Sequence, residues 1–415
     1  MTPTIYVYAS SVSGDIFIGT CRFSLRRGRL TSAFSYDDTY LARTDAYAID
    51  PSLPLRDAAG FCEGLPGALR DSIPDRWGRH LIDRRMLNEA TTLEQRPRTL
   101  DKVDYLLGVY DASRQGALRF RIPETTGFQS LHENVPPLVE LKRLLSASNK
   151  VSLGSAGTEE IKELLDAGSG SLGGARPKAS VTDEGRLLLA KFSHPEDSWD
   201  VMAWEKTSLD IANAAGLEVP KVRLIRLGTD SALVLERFDR TGSRMDGPRL
   251  PYLSAMSLIG ARDGSQNNYA DVADALSDWC EKPIPELEAL FRHIALSVAL
   301  HNTDDHLRNL GFLRRGGQWV LAPVFDVNIN PDTTRRRVTS IFGETGKGEI
   351  DGMKELAEVC GLSAAAASRS VASVTRAARD WKIFAKRNGC RETELRLMGP
   401  VIEERTSALS AAFPR

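Results

Sequence analysis

Apolar and polar positions alternate in short runs through residues 4–36: Ile5, Val7 and Tyr8, then 16–18, then 34–36, parted by Ser13-Gly14-Asp15 and Arg27-Gly28-Arg29. Period-two alternation broken by glycine turns predicts an antiparallel sheet. In 64–87 the period lengthens: Pro74 fits a first helical turn and Trp77 and Leu81, four apart, share an apolar face, so a helix packs on that sheet. Residues 111–137 hold one strand pattern, 117–122, in a stretch rich in Pro, Gly, Thr and Gln, which marks a domain boundary. Helical patterns over 138–145 and 159–165 precede a strand at 186–192, which follows a turn at 183–185. A helix over 200–215 then buries Val201, Trp204, Ile211 and Ala215, and strands follow at 222–227 and 232–238. Beyond them the helical period dominates, over 270–280, 284–301, 353–359, 364–387 and 392–409. The expectation is an α+β chain with a β-rich N-terminal subdomain and a mostly helical C-terminal lobe, divided at 1–115, 116–241 and 242–415.

Composition narrows the partners. A chain of 415 residues has room for two or three domains, and its formal net charge of −1 disfavours non-specific nucleic-acid binding by the chain alone. Contact with DNA is therefore expected through a partner. No apolar run approaches the roughly 20 residues of a membrane span, and the opening MTPTIYVYAS has neither a basic n-region nor a long apolar h-region. A cytoplasmic protein without membrane contact is expected. Cys21, Cys62, Cys280, Cys360 and Cys390 are odd in number and widely spaced, which suggests reduced fillers and neither zinc nor a disulfide framework.

The chemistry concentrates in residues 294–327, IALSVALHNTDDHLRNLGFLRRGGQWVLAPVFDV. Phosphoryl transfer from a nucleotide needs a carboxylate to receive the hydroxyl proton, and an amide oxygen with a second carboxylate to hold Mg²⁺. Asp304, Asn309 and, beyond a hairpin pattern, Asp326 supply that set. On composition either Asp304 or Asp305 fits the base; only Asp304 gives the D-x-x-x-x-N spacing.

Upstream, Gly168-Ser169-Gly170-Ser171-Leu172-Gly173 fits G-x-G-x-x-G, with a helical pattern before it and a strand after it, the reverse of a dinucleotide-binding turn. Lys191 on that strand suits the α- and β-phosphates of ATP. Lys178, beside Pro177 in a turn region, is a second candidate at longer range. Glu205 is placed either to orient the strand lysine or to stand solvated next to Lys206. Glu236-Arg237-Phe238-Asp239 ends the last strand where a hinge would meet adenine, with Asp239 towards the ribose. Arg335-Arg336-Arg337 is either a grip for an acidic substrate or tRNA, or a solvated loop. Strand, hinge and helical lobe in this order match a protein-kinase-like bilobal fold with nucleotide in the cleft.

With these residues assembled, the sequence resembles the HipA family of bacterial toxin kinases over nearly its whole length. FSYDDTYLAR, SLPL and GLPGALRDSIPDRWGR are similar to the family's N-terminal subdomain, SLGGARPKASV to its phosphate loop, VLERFDR to its hinge, and NTDDHLRN with PVFDV to its catalytic and metal segments. The resemblance implies a serine/threonine protein kinase using ATP and Mg²⁺ on a protein of the translation machinery, an aminoacyl-tRNA synthetase being the best-known kind of target. It implies Asp304 as base, Asn309 and Asp326 as Mg²⁺ ligands, and Lys191 and His306 at the phosphates. Glu236, Phe238 and Asp239 then line the adenosine pocket, and Ser171, Gly173, Gly174 and Ala175 belong to the ATP loop. Ser171 matches a loop serine whose autophosphorylation restrains activity; a phosphate there repels the phosphates the loop cradles. The implied partner is a HipB-like antitoxin that carries the chain to operator DNA. Asp305 and Arg308 depart from the family's small residue and lysine. Two other functions stay open: a catalytically silent nucleotide-binding subunit of a repressor, and a small-molecule phosphotransferase, which shares the D-x-x-x-x-N spacing.

Overall fold

The structure, a computed structural model, describes residues 4–122, 127–128, 135–169, 176–242, 247–262 and 264–414. The chain divides into two compact units, Met1–Glu196 with Val234–Leu253, and Asp197–Leu233 with Ser254–Arg415.

In the first unit the alternating N-terminal segment forms β1 (Thr4–Ser11), β2 (Gly14–Arg26) and β3 (Arg29–Tyr36), joined by β4 (Gly60–Glu63) and β5 (Leu118–Arg121). Their order is β4-β3-β2-β1-β5, and every pair is antiparallel. One face is core: Ile5, Val7, Ile18, Cys21, Phe34 and Phe120 are each at most 1% exposed. Full burial of such aliphatic and aromatic side chains contributes about 1.5–3 kcal/mol apiece. The helix Arg76–Thr92, whose Trp77, Leu81 and Ile82 are buried, packs mainly against the helices Thr158–Asp166 and Lys102–Gly108 rather than on the sheet as expected. Pro74 falls outside that helix, because Asp75 caps it by accepting the Gly78 amide at 2.9 Å.

The same unit contains β6 (Lys178–Asp183) and β7 (Arg186–Phe192), an antiparallel hairpin. Its two-residue turn, Glu184 (φ 48°) and Gly185 (φ 78°), takes positive φ at both positions, as tight hairpins require. A buried cluster of charge fixes the segment around Asp239. Its carboxylate accepts from Arg237, from Arg240 at 2.8 Å and from the Gly116 amide at 2.8 Å. Asp111 in turn holds Arg119 at 2.6 Å and Arg249 at 2.9 Å. Arg114, 0% exposed, donates to the carbonyls of Ser72, Leu106 and Val109. Buried charges persist only when so compensated.

In the second unit the helix Val201–Ala214, capped by Asp200, buries the expected stripe. Strand β8 (Val222–Leu227) lies in this unit, and β9 (Asp230–Glu236) passes the division at Leu233. The central helix Pro283–Ala299 is apolar nearly all round: Leu290, Phe291, Ile294, Leu296 and Val298 are 0% exposed, as suits a helix surrounded by others. The pattern over 364–387 is two helices, Ala364–Arg379 and Trp381–Arg387. The break at Asp380 lets Trp381 enter the core beside Trp204, with ring centroids 6.2 Å apart. Gly399 makes room for it, since a Cβ there would stand 2.8 Å from the indole.

Candidate functional site

The central helix delivers the chain straight into the loop that carries Asp304, Asp305 and Asn309. Its end is tied by the Asn302 amide to the Ser297 carbonyl at 2.8 Å, and His301 takes φ 48° to turn the backbone. The loop then folds on itself. The Asp304 carbonyl accepts from the His306 amide at 2.9 Å and from Asn309 Nδ2 at 3.4 Å, and the Asn309 amide donates to the His306 carbonyl at 2.8 Å. These bonds turn the two aspartates to opposite sides: Asp304 is exposed and Asp305 is 2% exposed.

Asp326 follows the hairpin of Gly311–Arg315 and Gln318–Leu321, which falls where the sequence predicts one. It sits at φ 58°, a strained backbone for aspartate, of the kind that recurs at functional sites. Although Asp304 is exposed as a residue, partial desolvation of its carboxyl by the loop raises it above its ordinary value; His306 opposes that, and the Asp326 carboxylate adds to it. Asn309, 7% exposed, completes the group, and among the described residues His306 Nδ1 is buried without a hydrogen-bond partner. The donor set, two carboxylates and an amide oxygen, is hard and suits Mg²⁺, which typically takes one or two protein carboxylates and fills its shell with water and phosphate oxygens. Among the described residues no three His, Cys, Asp or Glu side chains gather into a self-sufficient metal cage.

Asp305, which sequence spacing set aside without a role, anchors the loop. Tyr269 Oη donates to its Oδ2 at 2.6 Å, Thr339 Oγ1 donates to its carbonyl at 2.7 Å, and His293 Nε2 stands 3.6 Å away, at ion-pair rather than hydrogen-bond distance. Burial works against the ionised form, but His293, Tyr269 and Ser297 outweigh it and hold the carboxyl well below the usual carboxylate range.

Two readings of charged residues in this unit need correction. Arg337 is 3% exposed and neither solvated nor available to a substrate: its Nε pairs with Glu349 at 3.0 Å, and Glu349 also receives Arg405 at 2.6 Å. Arg335 and Arg336 are exposed. Glu205 is 1% exposed, so the solvated alternative fails.

The remaining expected residues belong to the first unit. Lys191 lies on β7, 6% exposed. Lys178 is not in a turn but opens β6 directly opposite Lys191; it is 1% exposed and its Nζ donates to Asp75 Oδ2 at 2.7 Å. Burial pushes the Asp75 carboxyl up, while Lys178 and the Gly78 amide pull against it. Glu236 accepts from Arg186 at 2.6 Å, and the Phe238 ring lies 6.4 Å from that of Tyr252. Asp239 is 1% exposed; burial opposes its ionised form, yet Arg237 and Arg240 hold it below the carboxylate range. A ribose contact through that carboxylate has to break the cage described above, and the Asp239 backbone carbonyl already accepts from the Leu250 amide at 2.9 Å.

Ser171, Gly173, Gly174 and Ala175 lie outside the described residues. Gly168, just before them, terminates the helix Thr158–Asp166. With φ 62° it donates to the Leu165 carbonyl at 2.8 Å, and Ser169 donates to Leu164 at 3.0 Å. That double bond is a helix C-cap, so the first glycine of the motif ends a helix rather than facing a phosphate.

Residues 13–99 match the HipA N-terminal domain and 170–381 the HipA-like C-terminal domain. Among solved structures the chain is similar to one from the complex of Shewanella oneidensis MR-1 HipA, HipB and its operator DNA, with TM-score 0.68, 16% identity and 97% of each chain covered. At that identity the likeness is one of fold, and it agrees with the expected α+β class. A Helicobacter pylori proinflammatory kinase, CtkA, aligns with TM-score 0.41 and 15% identity over 57% of this chain and 94% of its own. No curated protein matches.

Proposed function

The chain belongs to the HipA family, and from that premise we propose that it is an ATP-dependent serine/threonine protein kinase. The observation that carries the reading is the outward-facing Asp304, hydrogen-bonded through its carbonyl to Asn309, while Asp305 is locked inward. A substrate hydroxyl would give its proton to Asp304 as its oxygen attacks the γ-phosphorus. The bond from that phosphorus to the bridging oxygen then breaks, and ADP leaves with the electron pair. Mg²⁺, held by Asn309 and Asp326, would offset charge on the phosphates when bound. Lys191 would hold the α- and β-phosphates, with His306 donating through its unpartnered nitrogen. The ends of Glu236 and Phe238 and the Asp239 backbone would meet adenosine, and the loop of Ser171, Gly173, Gly174 and Ala175 would cover the phosphates.

The substrate class is a protein of the translation machinery, with an aminoacyl-tRNA synthetase as first candidate. A HipB-like antitoxin would bring the chain to operator DNA, in keeping with its near-neutral net charge and with the HipB and operator DNA of the Shewanella complex. A cytoplasmic site of action fits the finding that among the described residues no helix is long and apolar enough to cross a membrane.

Incubation with radiolabelled Mg-ATP and a cell lysate is expected to label a lysate protein and the chain itself. Absence of any labelling, self-labelling included, overturns the kinase reading. Phosphopeptide mapping is expected to find the self-label on Ser171; a label confined to other residues would remove Ser171 as the regulatory site.

A further inference from the structure

On the kinase reading, Lys178 stands beside the phosphate ligand, and its charge is not left to the nucleotide. Lys178 and Lys191 are direct partners in the β6–β7 register, so both side chains leave the same face of the sheet. Two buried ammonium groups so placed would form a strongly cationic spot, attractive to any triphosphate. Only one belongs to the catalytic set. The other is met by Asp75, 2.7 Å from Lys178 Nζ, which arrives from the start of the helix Arg76–Thr92 in the N-terminal domain. The remaining Asp75 oxygen accepts the Gly78 amide at 2.9 Å, so the carboxylate is fixed from two sides. Whichever partner holds the shared proton, the pair as a whole carries no net charge.

We propose that Asp75 is a positioning residue that keeps Lys178 neutralised and so weakens the grip of the kinase on nucleotide phosphates, giving the N-terminal domain control over ATP affinity and ADP release. The inference rests on the kinase reading and deepens it. Its sign is set by Coulomb's law: removing one negative charge near an anion site tightens anion binding. A merely structural role for Asp75 predicts the opposite, since loss of a support loosens a site.

The variants separate the two jobs of this side chain. Asp75→Asn keeps a good helix cap without the charge, and Asp75→Ser does the same with a different side chain. Titration of the full chain with Mg-ATP, by calorimetry, is expected to show at least about threefold tighter binding for Asp75→Asn, with ADP release slowed to match. Lys178→Met should weaken binding by at least about threefold, and the double variant Asp75→Asn with Lys178→Met should return to within about twofold of wild type, since one neutral pair replaces another. Equal or weaker binding by both Asp75 variants overturns the proposal while leaving the kinase reading intact, as does a double variant that stays as weak as Lys178→Met alone or binds as tightly as Asp75→Asn alone. A wild-type chain that fails to bind Mg-ATP at all removes the kinase reading itself, and this inference with it.

Discussion

Asp304→Asn is expected to lower the rate of phosphoryl transfer by about 10²–10⁴-fold, the span usually supplied by a general base, while leaving the chain folded. The carboxamide keeps the shape of the side chain but cannot take up the hydroxyl proton. Stability should shift by no more than about 0.5 kcal/mol, because Asp304 is exposed and the hydrogen bonds that shape the loop use its backbone carbonyl. Single-turnover transfer from Mg-ATP and a thermal melt, run on the same preparation, check both halves; a variant within tenfold of wild type would show that Asp304 is not the base. The base must be ionised to act, and partial desolvation of its carboxyl by the loop, with Asp326 adding to it, raises it. The acid limb of the rate profile should therefore lie above the ordinary aspartate range, with the rate falling as pH drops through it.

The neighbouring residue should behave in the opposite way. Asp305→Ala is expected to cost about 3–5 kcal/mol, the usual penalty for removing one partner from a buried, hydrogen-bonded charged group, because Tyr269 and His293 are left facing a cavity. Urea unfolding at neutral pH measures this, and a loss below 1 kcal/mol would refute the anchoring role. The pH dependence has a definite sign. A carboxyl held low in the folded state stabilises above its unfolded value of about 3.9, and that contribution disappears as pH falls below it. The stability gap between wild type and Asp305→Ala should thus be full at pH 6–7 and narrow progressively under acid. Two adjacent aspartates would then fail for different reasons, one by lost chemistry and one by lost structure.

How much of this was visible in the sequence depends on the range of the interactions. Local pattern was enough for the N-terminal sheet and for the hairpin before Asp326. The inward role of Asp305 was not legible, because its partner Tyr269 lies 36 residues back and Thr339 34 residues ahead. Lys178 looked like a turn residue beside Pro177; its strand is set by pairing with β7, and its charge by Asp75, 103 residues earlier. Arg337 reads as one of three surface arginines until Glu349 folds over it. A run of like charges gives no sign of which member turns inward. The Asp380 break was hidden for a related reason: Trp381 continues a helical period perfectly well, and only the space beside Gly399 and Trp204 draws the chain out of line.

The arginine cluster around Asp111 and Asp239 also bears on how the chain is made. Asp111 waits for Arg249, 138 residues further along, and the Gly116 amide waits for Asp239, 123 residues further along. At about 5–20 residues per second of synthesis, the first interval lasts about 7–28 s. Over that interval the Asp111 carboxylate has Arg119 but not Arg249, and the Gly116 amide lacks Asp239, so the first unit cannot complete its charged cluster until residue 249 has been translated.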